Sequence, residues 1–88
     1  MSAFALQTSP AAERTLERLP GPVAAAIVEL ITGPLLEEPY RIGKPLRAPY
    51  VGLHCARRGA YRVMYRVCEP GAVLVVRIDH RADIYRAR

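Results

Sequence analysis

The stretch Asp79-His80-Arg81-Ala82-Asp83-Ile84-Tyr85 gathers carboxylates, an imidazole, a guanidinium and a phenol into a few residues. An imidazole titrates near a pKa of about 6.5, an arginine stays charged, and a tyrosine stacks on a base or hydrogen-bonds a hydroxyl. Such a set suits scission of an RNA strand. That reaction needs the 2′-hydroxyl brought in line, the charge on the phosphate stabilised and the leaving 5′-oxygen protonated, and it calls for no metal ligands. A second group of cations lies upstream. Gly59-Ala60 reads as a two-residue hairpin turn, which sets Arg58 opposite Tyr61 and Arg57 opposite Arg62. Alternation then puts Tyr61, Val63, Tyr65 and Val67 on one face and Arg62, Met64 and Arg66 on the other, with Arg57 beside Arg62. Like charges in register destabilise a strand pair, so either an anion such as phosphate bridges the two guanidiniums or they splay separately into solvent.

Taken singly, several of these residues have plainer readings. His80 is more often a satisfied strand-end histidine than a catalyst, and Tyr85 alone reads as packing on the sheet. His54 alternates onto the face of Ala56 and Tyr65, which makes it a core or interface residue. Asp79 and Asp83 read as partners of the turn rather than as a general-base pair. Gly43-Lys44 is no phosphate-binding loop, because Pro45 occupies the place of the required Ser or Thr.

The elements that must position these groups follow from the pattern. Residues 2–8 read as a strand, and Ser9-Pro10 as an N-cap followed by proline at the first helical position. Ala12, Leu16 and Leu19 keep helical spacing until Pro20-Gly21-Pro22. Val23, Ile27, Leu30 and Ile31 stripe a second helix that Gly33-Pro34 breaks before a last turn through Leu35 and Leu36. Residues from Pro39 to Gly52 carry prolines and glycines without period and read as a basic loop. LHCARR, YRVMYRVC and AVLVVRID then form three antiparallel strands joined by short turns. The whole is an α+β fold, one domain over residues 1–88, with an N-terminal strand and a helical hairpin on a mainly antiparallel four-stranded sheet.

Charge divides along the same line. Residues 1–40 hold two basic and five acidic side chains; residues 41–88 hold ten arginines and Lys44 against Glu69, Asp79 and Asp83. A basic surface of that kind seeks RNA, DNA or an acidic protein. With 51% hydrophobic and 24% charged residues the chain is not a disordered polymer. Cys55 and Cys68 form no CxxC pair and read as free thiols in a reducing compartment. No run approaches the roughly 18–20 apolar residues of a membrane span, so the expected location is the cytoplasm.

At GKPLR, GLHCARRGAYRVMYRV and DHRADIYR, and at the TGPLLEEP break, the chain resembles the RelE/ParE superfamily of bacterial type II toxins, and its RelE branch in particular. The resemblance implies a helical hairpin on a sheet whose concave face admits messenger RNA in the ribosomal A site. It implies ribosome-dependent, metal-independent cleavage by 2′-hydroxyl attack, without a cofactor, and a RelB-like antitoxin as partner. It also implies catalytic roles for Arg57, Arg62 and Arg81 on the scissile phosphate, His80 as general acid and Tyr85 on the nucleotide. Lys44, Arg47, Arg58 and Arg66 complete an RNA-binding surface. One position departs from the pattern: Cys55 stands where the best-characterised branch has a lysine near the nucleophile. This leaves the base unassigned, with Lys44 or Arg47 placed to compensate. Two other readings share the fold: a ParE-like DNA gyrase inhibitor, and a module that binds RNA or a partner without chemistry.

Overall fold

The computed structural model describes residues 4–86. Strand β1 (Ala5–Thr8) leads into helix α1 (Pro10–Arg18), which starts where the sequence places it. The Ser9 hydroxyl accepts the Ala12 N–H at 3.0 Å, Pro10 takes the first turn, where no amide is needed, and Glu13 sits at the positive end of the dipole. Pro20 ends this segment and opens helix α2 (Gly21–Thr32). Gly33 and Pro34 stop α2, and two single turns follow, α3 (Pro34–Glu37) and α4 (Pro39–Ile42).

Beyond α4 come β2 (Lys44–Pro45), β3 (His54–Arg58), β4 (Tyr61–Cys68) and β5 (Ala72–His80). The sheet order is β1-β5-β4-β3-β2, with β1 parallel to β5 and every other pair antiparallel. Two expectations are adjusted. The sheet has five strands rather than four, because Lys44 and Pro45 pair with Cys55 and His54. The segment from Pro39 to Gly52 is therefore not all loop: its ends are α4 and β2. The predicted first strand begins at Ala5, and its residues 2 and 3 lie outside the described residues.

The hairpin register is the predicted one. Arg57 pairs with Arg62 and Arg58 with Tyr61, and Gly59 takes a left-handed φ of 59°, which glycine adopts without steric cost. One face of the sheet packs on the helices: Ala56, Val63, Tyr65, Val73, Val75 and Ile78 meet Ala12, Ile27, Leu30, Ile31, Leu35 and Leu36. Each large aliphatic side chain buried there contributes about 1.5–3 kcal/mol. Truncating the fully buried Ile27 to alanine would cost about 2–5 kcal/mol through the lost burial and the cavity left behind.

A β-bulge decides what the other face carries. Met64 pairs with Arg77 but Tyr65 pairs with Val75, so Val76 is an extra residue on β5. Up to Val75 the odd-numbered residues of β5 face the helices; beyond the bulge Ile78 does, and Arg77 and Asp79 turn to the opposite face. Ser9 braces this point. Its amide donates to the Val75 carbonyl at 2.9 Å and its hydroxyl to the Val76 carbonyl at 2.5 Å. Among the described residues no helix is long and apolar enough to cross a membrane.

Candidate functional site

On the face away from the helices, β2, β3, β4 and the turn after β5 enclose an open groove of about 440 Å³. Lys44, Arg47, Arg57, Arg62 and Arg81 line it together with Cys55, Ile84 and Tyr85, and no carboxylate does. β3 and β4 place Arg57 and Arg62 side by side as directly opposed residues. Arg62 is held in advance, one guanidinium nitrogen donating to the Gly59 carbonyl at 3.1 Å and the Tyr61 carbonyl at 3.0 Å. The cations that do have carboxylate partners among the described residues are Arg41, Arg58, Arg77 and Arg86. Among the described residues the groove cations have no carboxylate within an ion-pair distance, and positive charge concentrated in a concavity draws phosphate.

The loop that carries Arg47 is anchored from below. Fully buried Tyr65 donates its hydroxyl to the Pro39 carbonyl at 2.6 Å and accepts the Gly43 N–H at 2.9 Å. Burial raises the pKa of this phenol to about 12, so it remains a donor at any physiological pH. Gly43 is required by space: a Cβ there would lie 2.6 Å from the Tyr65 hydroxyl oxygen and 2.9 Å from the Cys55 carbonyl group.

Arg81 and Tyr85 sit in a turn after β5 that is held in place by side chains. His80 opens it, its carbonyl accepting the Asp83 and Ile84 amides and its Nδ1 accepting the Ala82 N–H at 3.1 Å. The Arg81 amide donates to the Ala60 carbonyl, fixing the turn to the hairpin. Ile84 is fully buried, while Tyr85 is about half exposed, at 49%. Burial raises the Tyr85 pKa, the neighbouring Cys55 thiol raises it further, and Arg62 acts in the opposite direction. Tyr85 is consequently a neutral phenol between a thiol and a guanidinium.

Most of the residues singled out from the sequence meet in this groove, but three do not. Arg58 shares the helix side of the sheet with Tyr61 and pairs with Glu29 of α2 at 2.8 Å. Arg66 is exposed farther along β4, its guanidinium next to Gly52. His80 departs most from expectation. It pairs with Tyr61, and the two rings meet edge to face at 5.6 Å on the helix side, because the bulge has reversed the faces of β5. His54 stacks on Tyr65 at 5.4 Å, as its core reading implies.

Three contributors were not anticipated. Arg77 appeared to be one residue of an apolar strand, yet its guanidinium holds the C-terminal turn. Tyr50 donates to the Tyr85 carbonyl at 3.0 Å, and the rings lie 5.3 Å apart. Cys55, noted only as a departure from pattern, lines the groove beside Tyr85. A charged residue interrupting an apolar strand was the available signal for Arg77; Tyr50 gave none.

A helical layer on one face of a mixed sheet and a cationic groove on the other define a small α+β protein with an anion-attracting face. The chain belongs to the ParE toxin family of type II toxin-antitoxin systems, matched over residues 6–85. Among individual proteins it is 46% identical over 84 residues to toxin RelG of Mycobacterium tuberculosis, covering 94% of this chain and 97% of that one. It is 50% identical over 76 residues to toxin RelE of the same organism, covering 85% and 78%. The toxin-antitoxin complex RelBE2 from M. tuberculosis contains a chain that superposes with a TM-score of 0.85 at 41% identity, over 90% of this chain and 99% of that one. Escherichia coli RelE shares the fold, with a TM-score of 0.75 at 21% identity over 97% and 88% of the two chains. The protein is thus a toxin of a type II system whose similar relatives carry Rel names.

Proposed function

We propose that this toxin is a ribosome-dependent endoribonuclease that cuts messenger RNA in the A site and is neutralised by a RelB-like antitoxin. The observation that carries the proposal is the groove itself: five cations, no carboxylate and a neutral phenol. In-line attack by the 2′-hydroxyl puts extra negative charge on the phosphate, and Arg57, Arg62 and Arg81 would receive it. The products are a 2′,3′-cyclic phosphate and a 5′-hydroxyl. Tyr85, its pKa raised, suits hydrogen-bond donation or proton delivery to the leaving oxygen better than proton abstraction. His80 lies on the far side of the sheet and supports the turn, so the acid role moves to Tyr85 in this proposal. The proton of the 2′-hydroxyl leaves to solvent in this proposal, no base being assigned, and Cys55 lines the groove with Lys44 opposite it on β2. An antitoxin with an acidic segment would fit the same groove by charge.

Primer extension on a defined message in purified translating ribosomes tests this, run beside the same RNA free in buffer. Cleavage confined to the A-site codon of ribosome-bound message supports the proposal. The matched family also contains ParE toxins, and a gyrase poison is the reading that survives if no RNA is cut and double-strand DNA breaks accumulate instead.

A further inference from the structure

We infer that Arg77 is the positioning residue of the groove: its guanidinium sets Arg81 and Tyr85 by gathering the carbonyls of the turn between them and the chain beyond, without itself meeting RNA. The inference rests on the nuclease reading for its catalytic consequence, although its structural part stands apart from it. One terminal nitrogen of Arg77 donates to the Ile84 carbonyl at 2.6 Å and the Arg86 carbonyl at 2.8 Å. The other donates to the Asp83 carbonyl at 2.6 Å and to a carboxylate oxygen of Asp79 at 2.9 Å. Tyr50 takes the remaining carbonyl, that of Tyr85. Four consecutive carbonyls, from Asp83 to Arg86, thus converge on two side chains.

The start of the turn is fixed by the Arg81 amide on the Ala60 carbonyl, the His80 ring and buried Ile84, but its end is held chiefly by these side chains. Its own backbone supplies three bonds, from Asp83, Ile84 and Arg86, and its last carbonyls would otherwise point into solvent as at any helix end. A planar, permanently charged fork satisfies several acceptors at fixed angles, which an ammonium on a flexible stem does not. Both members of the Arg77-Asp79 pair are 18% exposed, and Asp79 also accepts the His80 N–H at 3.1 Å, so the fork is itself fixed to β5. The bulge at Val76 is what turns Arg77 toward the turn rather than into the helices. With both terminal nitrogens engaged by carbonyls and Asp79, Arg77 is turned to the protein rather than offered to a phosphate.

The test compares wild type with Arg77→Lys, Arg77→Met and Tyr50→Phe, and with Arg57→Ala as a phosphate-contact control. It uses three measurements on the full chain: ribosomal cleavage, the salt dependence of single-stranded RNA binding, and amide exchange at Asp83, Ile84 and Arg86. A displaced catalytic group costs on the order of 100-fold in rate. Arg77→Lys is expected to lose amide protection in the turn and about 100-fold in kcat, with any loss of salt slope confined to the about 0.7 that a displaced Arg81 accounts for. Arg57→Ala is expected to lower the slope by about 0.7 with the turn still protected. Tyr50→Phe, which removes one bond from a partly exposed ring, should show the same effect as Arg77→Lys in smaller degree, and it serves should the Arg77 variants fail to fold. Retained amide protection in Arg77→Lys, or a wild-type kcat despite lost protection, overturns the inference. If the wild type cuts nothing, the nuclease reading fails, and the exchange and salt measurements still decide whether Arg77 orders the turn.

Discussion

Arg57 and Arg62 face each other at a spacing that like charges avoid, and Arg62 is tied to the hairpin backbone so that it cannot swing away. Such preorganisation serves developing charge, since the donors need not reorganise as the reaction proceeds. Arg62→Ala and Arg81→Ala are therefore each expected to lower ribosomal cleavage by about 100- to 1,000-fold, the cost of losing one oxyanion donor, with little change in thermal stability. Measured kcat in the A-site assay and a melting curve check both halves. Tyr85→Phe should lower kcat, because it removes the hydroxyl, while leaving RNA binding within about twofold if the ring supplies the stacking. At this scale the sequence was informative about the hairpin but not about the side of the sheet on which His80 lies. Counting alternation onward from Val73 and Val75 puts His80 with the outward residues, and only the bulge at Val76 sends it to the other side. A nearly continuous apolar strand gives no sign of where such an extra residue sits. Arg58 was a different matter, since the register that paired it with Tyr61 already pointed it toward the helices.

The loop from Gly43 to Leu53 depends on a buried phenol for its place. Tyr65→Phe leaves the Pro39 carbonyl and the Gly43 amide without their shared partner, and should destabilise the protein by about 1–3 kcal/mol. Denaturant unfolding with an unchanged m-value would register this as a loss of stability rather than a change of fold. Gly43→Ala has no room against β3, so β2 must move away from Cys55. That variant is expected to weaken RNA binding through displaced Lys44 and Arg47, which filter binding at fixed salt would detect. Helix starts, breaks and the three long strands were legible because Ser9, Gly33-Pro34 and the glycine turns are local signals. α4 and β2 were not, because their pairing depends on β3, which lies later in the chain, and on Tyr65 beneath them.

Across the whole molecule the two faces of the sheet divide the labour: one supplies stability and the other concentrates positive charge. If all five groove cations meet phosphates, single-stranded RNA affinity should fall with a log-log salt slope of about −3.5, from roughly 0.7 per neutralised charge. A slope near zero would leave the groove without its proposed ligand. Stability should also respond to acid through His54, whose pKa burial lowers below its ordinary 6.5. The unfolded chain then binds the proton more readily than the folded one, so stability is lost as the pH falls below about 6.5. The slope from this one group is at most about 1.4 kcal/mol per pH unit, and the difference between wild type and His54→Phe in urea melts at pH 7.5 and 5.5 isolates it.

The extra residue in β5 also has a genetic meaning. Excising Val76 in frame heals the bulge: Val75 and Arg77 become neighbours in the alternation they already show, so Arg77 and Asp79 stay on the groove face and Ile78 on the helix face, and what is lost is the carbonyl that the Ser9 hydroxyl engages. A toxin locus can thus lose that valine codon and keep its groove in register, whereas a single codon gained between Arg77 and Ile78 sends Ile78 to the groove face, and a reader comparing only the named arginines and tyrosine would score that allele as intact.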